Sequence, residues 1–190
     1  RPHYCFCGKI ITTINITVDI KISRLKEEDL GTLVSWAEDE KTMLQWCGPV
    51  FDYPLTIEQL KEYYSETERH EPKRIIYKAV DGNGKTAGMC ELGAIDRRNG
   101  IASLCRIFVD KNFRGQGIAE MMIRKMINFA FGELNIMRIE LNVYTYNTPA
   151  FKCYEKLGFV REGMKRKVTK YNNEYWDGYF YALLKEDLGL

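Results

Sequence analysis

Three stretches of this chain hold residue types at spacings that could do chemistry. The first is Arg114-Gly115-Gln116-Gly117-Ile118-Ala119, set between a run of strand character (Ile107, Phe108, Val109) and a helical pattern. Glycines let an anion come close to the backbone, and the first N–H groups of a helix have no internal partner and carry partial positive charge. Arg114 adds a cation, so the stretch suits a phosphate. The plainer alternative is that the glycines only make the turn and Arg114 is solvated. No Gly-Lys-Ser/Thr follows, and the spacing is not that of a dinucleotide fingerprint. The second is Glu91, a carboxylate on a strand face otherwise made of Ala87, Met89, Gly93 and Ile95. A carboxylate in an apolar row is either paired for structure or poised for proton transfer. The third is the loop Cys47-Gly48-Pro49-Val50-Phe51-Asp52-Tyr53-Pro54 after Trp46. Its aromatics either bind something or pack the loop down.

Composition narrows the chemistry. The six cysteines have neither zinc-pair spacing nor that of a small disulfide scaffold, and two histidines, His3 and His70, make a histidine-ligated metal an unattractive reading. No metal is therefore expected. Cys90, Cys105 and Cys153 sit inside apolar patterns and read as buried thiols of a reducing cytoplasm. A net charge of +2 gives no electrostatic case for nucleic acid. Lys165-Arg166-Lys167 is the one basic trio, and it reads as a solvated strand. No apolar run approaches the ~20 residues of a membrane helix.

The elements that must hold these groups follow from periodicity. Apolar residues alternate from Ile14 to Ile22, a half-buried strand. Lys26-Glu27-Glu28-Asp29 opens a helix to about Ala37, a short helical piece carries Met43 to Trp46, and Thr56-Ile57-Glu58-Gln59 is a capping box for a helix to about Glu66. Strands are expected over Arg74–Val80, Thr86–Ile95 and Ile101–Val109, with Asp81–Lys85 as a hairpin turn. The next helix places Ala119, Met122, Ile123, Met126, Ile127 and Ala130 on its core face, with Glu120, Arg124, Lys125 and Asn128 opposite, and Gly132 as its stop. Arg138–Val143 is a strand. Thr148-Pro149 reads as an N-cap and first helical residue, Gly158 ends that helix, and a final hairpin turns at Asn172-Asn173. The order is that of a single mixed α/β (α+β) domain over residues 15–190, with a mostly antiparallel sheet and one β-α-β crossover. Residues 1–14 read as an N-terminal extension of no assigned role.

Two runs carry a family resemblance. Arg114 to Ala119, after a strand and before a helix, resembles the Arg/Gln-x-x-Gly-x-Gly/Ala motif of the GNAT acetyltransferase superfamily. Asn147-Thr148-Pro149-Ala150-Phe151-Lys152-Cys153-Tyr154-Glu155-Lys156-Leu157-Gly158-Phe159 is similar to that superfamily's second signature. The resemblance covers about residues 16 to 186. It is nearest to the RimJ/RimL-like enzymes and the bacterial spermidine N-acetyltransferases, on Ala130-Phe131, Glu162-Gly163 and Asp177.

The resemblance implies a sheet splayed at the cofactor site between Ile107–Val109 and Arg138–Val143, and flanked by helices. Acetyl-CoA would enter there as co-substrate. Its pyrophosphate would rest on the N–H groups of Arg114, Gly115, Gln116, Gly117, Ile118 and Ala119. The strand Ile107, Phe108, Val109 would meet the pantetheine and acetyl carbonyl, and Asn147, Ala150 and Tyr154 the cofactor arm. Tyr154 would be the general acid for the leaving thiolate, where periodicity alone makes it a core residue. Glu91 would be base, acceptor ligand or structural partner, and Trp46 and Asp52 would face the acceptor. The expected partner is a small-molecule or peptide amine (a polyamine, a protein N-terminus or another small amine), with neither nucleic acid nor membrane, and a homo-oligomer left open. A CoA-binding regulatory module without catalysis is the alternative; the presence of Tyr154 speaks against it.

Overall fold

The computed structural model describes residues 19–189. The extension 1–14 and the first part of the strand expected from Ile14 lie outside the described residues. Among the described residues seven strands form one sheet in the order β1-β2-β3-β4-β5-β7-β6. They are β1 (Ile20–Arg24), β2 (Ile75–Asp81), β3 (Thr86–Asp96), β4 (Ile101–Val109), β5 (Arg138–Tyr144), β6 (Val160–Tyr171) and β7 (Glu174–Leu184). Every pairing is antiparallel except β4 with β5. A parallel pair needs a crossover, and α4 (Ile118–Gly132) supplies it.

The other helices are α1 (Leu30–Trp36), α2 (Glu40–Cys47), α3 (Ile57–Ser65) and α5 (Thr148–Lys156). Three helices precede the antiparallel meander. The short piece at Met43–Trp46 is a full helix because Asp39 caps it, its carboxylate accepting from the Thr42 N–H at 2.6 Å. Thr56 caps α3 through the Gln59 N–H, as the sequence suggests. The cap of α5 is Asn147 rather than Thr148, which is already helical, with Pro149 in the first turn. Gly132 closes α4, yet the left-handed residue of that turn is Asn135, at φ 52°. The hairpin turn after β2 is held by Asp81, whose Oδ1 accepts from the Asn83 and Lys85 N–H groups.

Two apolar layers cover the sheet. On one face α4 and α5 bury Met122, Ile123, Met126 and Ala130 against Cys90, Leu92, Leu104, Ile139 and Leu141. On the other, α1 to α3 bury Leu30, Leu33, Trp36, Trp46 and Leu60 against Ile76 and Met89. Strand β3 is therefore buried on both sides, which is why its run from Thr86 is apolar almost throughout. Glu120 departs from its expected place on the polar face of α4. It is buried at the start of the helix, paired to Arg124 at 2.8 Å and to Lys156 of α5 at 2.7 Å.

Candidate active site

The site begins with a fault in a strand. Glu91 pairs with Cys105 and Met89 with Phe108, so β4 carries one residue more than β3 across that span. The extra residue is accommodated at Arg106, at φ 49°, a left-handed conformation uncommon for a side chain of that size. A bulge bends its strand and interrupts the ladder. Strands β4 and β5 pair only through Ile101 with Arg138, Ala102 with Ile139 and Ser103 with Glu140. Beyond Ser103 they part, and a cleft of about 1090 Å³ opens between them.

The cleft wall gathers most residues expected to bind the cofactor. Ile107, Phe108 and Val109 come from β4; Arg114, Gly115, Gly117, Ile118 and Ala119 from the turn and the start of α4; Asn147, Ala150 and Tyr154 from α5. Gly115 and Gly117 sit at φ 76° and 77°, where a Cβ would be strained. Gly117 is the N-cap of α4, and no side chain caps the helix there. The first N–H groups of a 15-residue helix thus meet the cleft without a protein partner, the geometry that receives a phosphate. Arg114 is fixed beside them, its Nε donating to the Val109 carbonyl at 3.0 Å. The residues present fit the pyrophosphate and extended arm of coenzyme A. Gln116 is not on the wall; its Nε2 reaches back to the Asn112 carbonyl at 3.5 Å.

Tyr154 lies on the wall at 8% exposure, and its hydroxyl makes no hydrogen bond among the described residues. Burial, with smaller contributions from neighbouring thiols, pushes its phenol well above the ordinary tyrosine value, so it is protonated at neutral pH. Cys105 and Cys153 also reach the wall and are half-buried rather than buried; burial pushes the Cys105 thiol up to about 12. Burial raises the Cys153 thiol as well, so both stay protonated thiols at neutral pH.

Glu91 is not on the cleft wall. It has no solvent exposure, and the Arg106 side chain forks onto it, Nε at 2.9 Å and Nη2 at 3.1 Å. The Tyr63 hydroxyl donates to it at 2.7 Å. Burial and the Glu91 charge push the Tyr63 phenol up, so it remains the donor. Gly93 makes room for the pair: a Cβ there would stand 2.8 Å from Glu91 Oε1. Of the three roles open to Glu91, the geometry is that of a structural pair beneath the bulge. Arg106 was the residue missed by sequence reading. Its signal was available only as a cation three residues before the end of β4.

Trp46 does reach the wall, its indole N–H donating to the Arg106 carbonyl at 3.2 Å and its ring tilted on Phe108 at 5.3 Å. Asp52 does not. Its backbone is tied to Gln59 of α3, N–H to Oε1 at 2.9 Å and carbonyl to Nε2 at 3.1 Å, and Phe51 packs edge-on against Tyr63. The loop aromatics thus mainly fasten the loop. Tyr144 and Thr169, which the sequence did not mark, close this end of the cleft through a 2.9 Å hydrogen bond between their hydroxyls.

A β-α-β crossover whose parallel strands part beside an uncapped helix start is the frame of a CoA-dependent acyl transfer enzyme. Residues 31–159 match the Acetyltransferase (GNAT) family, and the chain belongs to that family. It is 31% identical over 138 residues to the SPbeta prophage-derived uncharacterized N-acetyltransferase YokL of Bacillus subtilis (strain 168), covering 73% of this chain and 76% of that one. It is 25% identical over 158 residues to the spermidine N(1)-acetyltransferase of Escherichia coli (strain K12), 82% and 81% of the two chains. The fold matches the crystal structure of spermidine N-acetyltransferase from Vibrio cholerae in complex with CoA and spermine, with a TM-score of 0.78 at 24% identity over 90% of this chain and 98% of that one. The same enzyme is also described in a dodecameric structure. The chain is thus an N-acetyltransferase with acetyl-CoA as co-substrate and an amine as acceptor. Neither the site nor the family match favours the alternative of a silent CoA-binding module. No helix among the described residues is long and apolar enough to cross a membrane.

Proposed function

We propose that this enzyme acetylates a primary amine by direct attack, with the donor held by α4 and α5 and the acceptor arriving from the α1–α2 face, in one domain spanning residues 15–190. The parting of β4 and β5 carries the reading. It leaves an opening through the sheet, with the uncapped start of α4 on one side and Trp46 on the other. The amine must be neutral to attack, against an ordinary alkylammonium pKa of ~10. Its lone pair attacks the thioester carbonyl, the C–N bond forms, the C–S bond breaks and the thiolate leaves. In this reading Tyr154, protonated and on the cleft wall, gives its proton to that sulfur. Backbone N–H groups of β4 near the bulge hold the carbonyl oxygen as it gains charge. The base is water leading to bulk solvent. The one carboxylate on the wall among the described residues is Glu120, already engaged by Lys156 and Arg124.

Similarity to spermidine N-acetyltransferases makes a polyamine one candidate among primary amines, and the dodecameric relative supports an assembly of several copies. The test is thiol release from acetyl-CoA across a panel of amines that includes spermidine, amino acids and peptide N-termini. Turnover of at least one is expected. Binding of CoA without turnover of any would refute the reading.

A further inference from the structure

We infer that the acceptor of this enzyme carries an anionic group, a carboxylate, and that Lys165 recognises it. The inference rests on the reading above, in which the acceptor enters from the α1–α2 face. Cross-strand partners share a face, and Lys165 pairs with Gly178, which pairs in turn with Tyr144. Tyr144 points towards α2, its hydroxyl 3.4 Å from the Leu44 carbonyl. Lys165 therefore stands on the acceptor face, and it lines the cleft together with Gln45, Trp46, Asn142 and Thr169.

Charge decides which amines suit this end. Glu120 is the only carboxylate on the wall among the described residues; it belongs to the start of α4 and is doubly paired. Behind the wall Glu91 is paired to Arg106, and Asp177, beside Gly178, accepts from the Lys167 backbone N–H at 2.7 Å and is not on the wall. Lys165 forms no salt bridge among the described residues; its ammonium lies 4.7 Å from the centre of the Phe180 ring, which holds it over the sheet without neutralising it. A polycation would enter this space without a countercharge and against a fixed ammonium. An amine with a carboxylate a few bonds away finds a donor for that group.

The test uses matched acceptors, small α-amino acids and their carboxamides, with spermidine alongside, on the full chain and on Lys165→Gln. The substitution is on an exposed strand position and leaves the core untouched. Wild type should prefer carboxylate over carboxamide by about tenfold to a hundredfold in kcat/KM, the worth of one charge-assisted hydrogen bond. Lys165→Gln should erase that preference, mainly through KM. Equal use of acid and amide, a preference for spermidine, or a preference that survives Lys165→Gln would each overturn the inference and leave the acetyltransferase reading standing. Turnover of no amine at all would overturn both.

Discussion

Glu91→Gln separates a buried structural pair from a catalytic base. The carboxylate is fully buried and takes two hydrogen bonds from Arg106 and one from Tyr63, while the Arg106 side chain is only 18% exposed. An amide presents one acceptor and one donor where three donors converge, and it leaves the guanidinium without its countercharge. Breaking a buried pair by removing one charge costs about 3–5 kcal/mol. For a chain of this size each kcal/mol moves Tm by about 2–4 °C, so the expected fall is roughly 6–20 °C. Arg106 also sets the bulge, and its carbonyl receives the Trp46 indole, so kcat/KM should fall too, with the shape of the pH–rate profile kept. Scanning calorimetry and a pH–rate series on the same preparation measure both. Adding Arg106→Met should recover part of the lost stability, because the orphaned charge is then gone. A Glu91→Gln protein that melts within about 2 °C of wild type and loses the acid limb of its pH–rate profile would refute this reasoning and restore Glu91 as the base.

Tyr154→Phe should lower kcat by about a hundredfold, a common general-acid contribution, with CoA affinity by calorimetry retained; an unchanged kcat would remove Tyr154 from that role. Gly117→Ala places a Cβ at φ 77° on the cap of α4 and should cost about 1–2 kcal/mol, read as a lower Tm together with a raised KM for acetyl-CoA. Gly93→Ala pushes a methyl against the Glu91 carboxylate and should reproduce the Glu91→Gln phenotype in milder form, by the same two assays. Glu120 gives a pH signature. Burial raises its pKa, but hydrogen bonds from Lys156 and Arg124 outweigh that and hold it below the ordinary value. Its stabilising contribution is therefore full above its unfolded pKa of ~4.3 and lost as pH falls through the lower folded value. The Tm difference between wild type and Glu120→Gln should be constant near neutrality and shrink below about pH 4.

The sequence by itself determined the cofactor half of this protein. Local rules suffice there: two glycines before an amphipathic stripe make a turn and an uncapped helix start whatever surrounds them, and Asn147-Thr148-Pro149 starts α5 by the same logic. Both helices follow directly on the two parallel strands, so the chain's order alone sets their N-termini beside the opening. The family resemblance at Arg114–Ala119 and Asn147–Phe159 rests on those runs. The acceptor half was not legible, because it is assembled from partners distant in the chain. Glu91 looks the same in a sequence whether Arg106 and Tyr63 sit on it or water does, and those partners arrive 15 residues later and 28 residues earlier. Only the register between β3 and β4 shows that Arg106 takes the extra place. Only the pairing of β6 with β7, and of β7 with β5, brings Lys165 beside Tyr144 and α2. Periodicity assigns a side chain to a face of its own strand. Which charges share the space in front of that face is decided by the tertiary pairing, and with it the chemistry of the acceptor.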